Sequence, residues 1–294
     1  MKKTSIFGII ALGTVAVLGF SGLWAPEAEE GVPLPRVEVP SPFPDLRSDP
    51  RVMAFVRSYS SLIDSVAYGT EDAVFFLSQG TIHFQGGRMV GPDRLDSSSD
   101  CDPIFYRYSL LPLTTPPAPK DPPTYCTDLM EALFGRTETE IRLHGQSTTF
   151  LGHRMFVNTL LLEPLRAIEG ELRDLARRDP ELAVWMEDLD ITYSFMDREI
   201  AGTERQSHHA WGMAVDLVPA DYGGKQVYWR WSRVFNRENW HEIPLSQRWA
   251  PPQAVVQAFE RHGFVWGGKW AFFDQIHFEY RPEILAYNRM VVEH

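Results

Sequence analysis

Two short stretches of this sequence collect side chains that can do chemistry. The first is Ser207-His208-His209-Ala210-Trp211-Gly212-Met213-Ala214-Val215-Asp216. The second is Trp266-Gly267-Gly268-Lys269-Trp270, followed by Asp274-Gln275-Ile276-His277-Phe278-Glu279. A catalytic zinc ion takes three protein ligands and leaves one position open for water, and imidazole nitrogen and carboxylate oxygen are suitable donors. His209, Asp216 and His277 supply two imidazoles and one carboxylate. A water activated in this way still needs a carboxylate to take its proton and pass it to the leaving group. Asp274, three residues before His277, is placed for that work. A cation should steady the oxyanion that forms. Arg198 is the first choice and Arg205 the second. Taken singly, each of these signals is weak. A lone His beside a Trp is usually a packed residue, and one Asp-x-x-His is common, so a packed cluster without metal stays open on the residues alone.

The surrounding elements follow from hydrophobic spacing. Gly212 to Val218 reads as a strand. Ala214, Asp216 and Val218 would share one face and Met213, Val215 and Leu217 the other, so Asp216 points away from the apolar side. Ile191 to Phe195 is a second strand, with Tyr193 and Phe195 as ordinary strand residues. Phe264–Trp266 and Ile276–Glu279 are shorter strands. Asn158 to Arg178 is an amphipathic helix with Leu161, Leu165, Ile168, Leu172 and Leu175 inward. A further helix starts at Pro251-Pro252 and stops at His262-Gly263. Asp49-Pro50 opens another, with Val52, Phe55, Val56, Tyr59, Leu62, Ile63 and Val66 on one face. Ala73–Leu77 and Thr81–Phe84 form a hairpin across Gln79-Gly80. Residues 92–125, rich in Pro and Ser, form a loop. Helices and strands interleave without a regular β-α-β beat, so the expected class is α+β, a small antiparallel sheet flanked by helices.

Composition narrows the partners. The 294 residues are 44% hydrophobic and 23% charged, ordinary for a globular chain. A net charge of −11 gives no general attraction to phosphate backbones, so nucleic acid is not an expected partner. Lys2 and Lys3 precede an apolar run from Ile6 to Phe20 and then small residues, the pattern of a secretory signal or membrane tether over residues 1–25. A Pro-rich linker over residues 26–48 follows. Residues 49–294 are expected to form one domain, an N-terminal elaboration (49–155) and a catalytic core (156–294). Export to the periplasm or cell envelope makes a disulfide between Cys101 and Cys126 the expected state of the two cysteines. Oligomeric state is not legible.

The first stretch, Ser207-x-His209-x-x-Gly212-x-Ala214-x-Asp216, resembles the S-x-H-x-x-G-x-A-x-D motif of the zinc D-alanyl-D-alanine carboxypeptidase family. That family includes vancomycin-resistance D,D-dipeptidases and phage L-alanyl-D-glutamate endolysins. Gly263-Phe-x-Trp266-Gly-Gly-x-Trp270 with Asp274-x-x-His277-Phe-Glu279 is similar to its C-terminal motif in the form with Asp as base. Arg198-x-Ile-Ala-Gly-Thr203 resembles a segment that precedes the first motif in some members. The resemblance runs from about Thr192 to Pro282, and more loosely from Glu71 to Arg198. It implies one zinc ion on His209, Asp216 and His277, with Asp274 as acid and base. It also implies peptidoglycan stem peptides as substrate, cut by carboxypeptidase or endopeptidase action. Ser207, Arg205 and Trp270 are expected on the substrate side. His208 is passed over as a ligand because the motif aligns on His209.

Other chemistries lack their residues. His241-Glu242 has Leu245 where a helical two-His zinc motif needs its second His. No Ser has a Lys three residues later, and no G-x-S-x-G occurs. Trp229, Trp231, Trp240, Trp249, Trp266 and Trp270 are expected chiefly to pack, with Trp270 the one nearest the groove. The alternative to an enzyme is a non-catalytic, zinc-stabilised module that binds cell wall, and the presence of Asp274 argues against it.

Overall fold

The computed structural model describes residues 45–118, 125–196 and 206–292. The expected export segment lies outside them, as does most of the linker. A turn over Leu46–Ser48 leads into helix α1, Pro50–Ser58, capped by Asp49, whose carboxylate accepts from the Arg51 N–H at 2.8 Å. Four strands then run as an antiparallel meander: β1 Ile63–Tyr68, β2 Asp72–Leu77, β3 Gly80–Gln85 and β4 Arg88–Val90. Ala73, Phe75 and Leu77 alternate inward on β2, and Ile82 and Phe84 on β3. Helix α1 is shorter than its apolar spacing predicts. The helix stops at Ser58, and Ile63 and Val66 belong to β1. A register shift between Ile63 and Ser65 puts an irregularity in β1. It lets two strand residues three apart imitate helical spacing.

The stretch expected as a loop opens instead with a 3-10 helix, Pro92–Asp100, started by the fixed φ of Pro92, and after the expected Cys101–Cys126 disulfide come α2, Asp128–Phe134, and α3, Glu138–Leu143. A hairpin follows, β5 Gly145–Phe150 and β6 His153–Asn158. Then come α4, Leu162–Ala176, and α5, Pro180–Glu187. Helix α4 buries Leu165, Ile168 and Leu172, as its spacing requires. The remaining elements are β7 Leu189–Tyr193, β8 Ala214–Pro219, α6 Trp229–Asn236, α7 Gln253–Arg261, β9 Phe264–Trp266, β10 His277–Tyr280 and α8 Pro282–Val292. Strand β7 ends two residues before the expected Phe195. Beyond Tyr193 the chain changes partners, and the Phe195 N–H donates to Phe156 of β6.

The class is α+β. The sheet that carries Asp216 and His277 is antiparallel in the order β7-β8-β10-β9. A hydrophobic core runs through both halves of the described chain, from Phe55 and Phe75 to Phe259, Phe278 and Ile284. Helix α1 packs on α8. A smaller cluster gathers Trp240, Ile243 and Phe273 with Trp229 and Phe272. Among the described residues no helix is long and apolar enough to cross a membrane.

Candidate metal centre

Asp216 and His277 face each other on adjacent strands. The β8–β10 register pairs them directly, so their side chains leave the sheet on the same face. On the other side of β8, Tyr193 pairs with Asp216. His209 arrives from a tight turn over His208–Trp211. Ser207 opens that turn with its hydroxyl toward the His209 N–H at 3.4 Å, and Gly212 closes it at φ +63°. A Cβ on Gly212 would lie 2.7 Å from the backbone nitrogen of Asn158. Only glycine gives both the left-handed conformation and that close approach.

Three donor atoms meet here. Nε2 of His209 is 3.1 Å from Oδ1 of Asp216 and 3.2 Å from Nδ1 of His277, and these last two are 2.9 Å apart. Zinc bonded at about 2.0–2.1 Å to each of three tetrahedral ligands separates them by roughly 3.3 Å. The triangle is close to that size. All three residues are buried, at 0%, 1% and 7% exposure for His209, Asp216 and His277. The residues therefore fit a metal ion in both donor type and spacing.

The far side of each imidazole is held as well. Nδ1 of His209 lies 2.5 Å from the Ser194 carbonyl, which can only accept, so Nδ1 carries a proton and Nε2 is the nitrogen left to turn a lone pair inward when a metal is bound. The Tyr193 ring stacks on His209 with centroids 5.4 Å apart. Nε2 of His277 points at Oε2 of Glu279, 3.4 Å away. Burial opposes charge on His277, yet Asp216 and Glu279 together raise its pKa to about 10. Burial likewise opposes ionisation of Asp216, but the two imidazoles hold it well below the usual carboxylate range. Without metal, the site is a charged, internally hydrogen-bonded triad.

Asp274 sits on the loop between β9 and β10, half-buried. Its N–H donates to the Gly267 carbonyl and its own carbonyl accepts from the His277 N–H. Its charge contributes to the raised pKa of His277. Gly267 is needed for this turn, because a Cβ there would come within 2.6 Å of the Asp274 carbonyl oxygen. Trp270 borders His277, with ring centroids 5.5 Å apart, and its indole N–H donates to the Tyr106 hydroxyl at 3.1 Å. Of the other tryptophans expected to pack, Trp240, Trp249 and Trp266 are buried, whereas Trp231 is exposed.

The turn that carries His209 aims His208 elsewhere. Its Nδ1 lies 3.3 Å from Oε1 of Glu279, off the ligand triangle, and burial pushes its pKa down to about 4. Ser207 is buried and serves the turn. Arg198 and Arg205 lie outside the described residues.

Four residues for which the sequence predicts no chemical role complete the centre: Tyr193, Ser194, Glu279 and Arg281. Glu279 carried a readable signal, since residues two apart on a strand share a face and Glu279 follows His277 by two. Buried Arg281 donates to Glu279 at 3.0 Å and to Glu283 at 2.5 Å. Burial opposes ionisation of Glu279, but His208, His277 and Arg281 hold its pKa below the usual range.

The chain before α2 reaches this region through the loop around Tyr108. Its hydroxyl donates to Glu260 at 2.5 Å and accepts from the Trp266 N–H at 2.9 Å. Buried Lys269, from the Gly267-Gly268-Lys269 turn, meets Glu260 at 2.5 Å and donates to the Ser109 carbonyl at 2.8 Å. The second chemical stretch is thus latched to residues 106–109.

Residues 201–280 match the model of a family described as D-alanyl-D-alanine carboxypeptidase. The matched span contains both chemical stretches and all three donors, so the resemblance carried by their motifs is borne out over it. The match supports a hydrolase of the peptidase class. No solved structure matches the chain.

Proposed function

We propose that this chain is a zinc metallopeptidase that cuts peptide bonds in peptidoglycan stem peptides outside the cytoplasm. The observation that carries the reading is the buried triangle of His209 Nε2, Asp216 Oδ1 and His277 Nδ1, with Asp274 three residues from the last ligand, inside the span that matches the peptidase family. His209, Asp216 and His277 hold one zinc ion. Zinc bound by three ligands supplies Lewis acidity at its open position, which lowers the pKa of a water and polarises a carbonyl. Asp274 takes the proton released during attack and returns it to the leaving amine. Glu279 and the Ser194 carbonyl hold the two imidazoles in the tautomers that bind. Trp270 walls the groove beside His277. Arg198, or failing it Arg205, steadies the oxyanion.

The same reading assigns residues 1–25 to export or tethering, residues 26–48 to a linker and residues 49–294 to one elaborated catalytic domain. Either removal of a terminal D-alanine or cleavage between L-alanine and D-glutamate suits the site. Incubating the purified protein with peptidoglycan and analysing the fragments by mass spectrometry tests the reading. New amino termini in the stem peptides that depend on zinc are expected. Stoichiometric zinc without any cleavage of stem peptides would turn the reading to a wall-binding module.

A further inference from the structure

Helix α6 has an apolar face that the described fold leaves largely exposed, touched by the Tyr228 ring at Trp231. On its inward side Trp229 packs against Trp240 and Phe272, and buried Ser232 donates to Gln226 at 2.8 Å. Trp231, Val234 and Phe235 follow the spacing i, i+3, i+4, which puts them on one side of a helix. They are 56%, 74% and 79% exposed. The other strongly exposed large apolar residues, such as Leu143 and Val184, each lie on a different element of the described chain. Isolated exposed apolar residues are ordinary, but three on one helix face are not.

The helix itself is basic, in contrast to the chain as a whole, although Asp221 and Glu238 flank the basic segment. From Tyr222 to Arg237 the sequence contains Lys225, Arg230, Arg233 and Arg237 and no acid, in a protein of net charge −11. None of the four makes an ion pair among the described residues.

We propose that this face docks on an anionic lipid bilayer. Trp231, Val234 and Phe235 enter the boundary between headgroups and acyl chains, and the exposed Arg233 and Arg237 meet the lipid phosphates, while Arg230 lies over the Trp229 ring at 5.2 Å. Area, side-chain type and charge favour lipid over other occupants. Two aromatic residues and a valine, partly exposed, offer on the order of 400 Å², about half of what each partner buries in a stable dimer. Val234 has no ring face to stack on a sugar, and the cations would suit an anionic surface. The lysine-led apolar segment at the start of the chain, read as a tether, would keep the face near such a surface and raise its effective concentration there. Tyr228, at the head of α6, pairs with Asp274, so the docked helix would hold the metal centre beside the bilayer. This inference does not depend on which bond the protein cuts, or on whether it cuts any.

The test uses the full chain carrying a nitroxide on Phe235→Cys, with the native disulfide kept oxidised and Val184→Cys as a remote control. Vesicles of equal parts phosphatidylglycerol and phosphatidylcholine should shield position 235 from an aqueous nickel chelate and expose it to dissolved oxygen. Pure phosphatidylcholine should not, position 184 should not respond, and Arg233→Glu with Arg237→Glu should abolish the shielding. Equal chelate access at 235 with and without anionic vesicles would overturn the proposal. So would shielding that needs no lipid and grows with protein concentration, which marks a second copy. Shielding by peptidoglycan but not by vesicles would mark a wall polymer instead.

Discussion

Nε2 of His277 lies 3.4 Å from Oε2 of Glu279, on the opposite side of the ring from the Nδ1 that meets Asp216. The carboxylate is itself fixed, because Arg281 donates to it and to Glu283, and Glu283 accepts from the Tyr59 hydroxyl at 2.9 Å. Through these buried side chains the orientation of one proposed ligand is tied to helix α1. Groups behind metal-bound histidines typically change affinity or activity 10- to 100-fold when removed. Glu279→Gln should therefore weaken zinc binding by about that factor while the protein stays folded. Competition against a chromogenic chelator measures it, and an unchanged affinity would remove Glu279 from the site.

Asp274→Ala should separate metal binding from hydrolysis. The side chain is not among the three donors, so zinc stoichiometry should hold. Loss of a positioned acid–base group costs roughly 10²–10⁴-fold in rate. A variant that cleaves stem peptides at the parental rate would discard the role.

Zinc uptake should depend steeply on pH. In the metal-free protein His277 has its pKa raised to about 10: burial opposes the charge, but hydrogen bonds to Asp216 and Glu279 outweigh it. At neutral pH the ring is thus protonated, and a metal ligand must be neutral. The free state holds a proton that the bound state lacks, so affinity rises with pH below about 10. Between pH 6 and 8 the dissociation constant should fall about tenfold per unit, with near one proton released per ion. Calorimetry in buffers of different ionisation enthalpy counts that proton, and a count of zero would contradict the charged triad.

Lys269 tests the latch between the two halves of the chain. Its ammonium is buried against Glu260 and the Ser109 carbonyl. Removing one member of a buried pair strands the other, at a cost of about 3–5 kcal/mol. Lys269→Ala should lower unfolding stability by that order in a urea titration. Tyr108→Phe, which deletes two hydrogen bonds to the same cluster, should cost about 1–3 kcal/mol. A near-neutral Lys269→Ala would show that the latch contributes little to the fold.

Gly212→Ala should damage both fold and site. The left-handed conformation alone costs an alanine roughly 1–2 kcal/mol, and its methyl would press on the Asn158 backbone at 2.7 Å. A loss of at least about 2 kcal/mol in thermal or urea unfolding is expected, together with weaker zinc binding, because the turn also aims His209. Parental stability and affinity would count against this account of the turn.

Several elements escaped the sequence for identifiable reasons. The β5–β6 hairpin has Gln146, Ser147, Thr148 and Thr149 on its first strand, so the usual apolar alternation is missing. Its only local mark is the turn at Leu151 and Gly152, with φ of +49° and +90°. The spacing predicts a longer α1 than the chain forms, because the irregularity in β1 copies helical spacing. Helix α6 hid behind its tryptophans, since a Trp signals burial until the packing shows which face is turned outward.

The sequence by itself determined the donor types, the glycine that shapes the turn before Asp216 and the carboxylate three residues ahead of the last histidine. These are properties of residue type and local spacing, which a linear chain displays directly. It also determined the two cysteines that pair. What only the tertiary structure decided is which side chains meet. His209 and His277 stand 68 residues apart and converge because β10 lies against β8 in one particular register. A slip of one residue would turn Asp216 or His277 to the opposite face. The tie from Glu279 through Arg281 to Tyr59, and the latch from Lys269 to Ser109, likewise depend on which elements pack together. No local pattern encodes those contacts, because their energy comes from burial and pairing between segments distant in the chain.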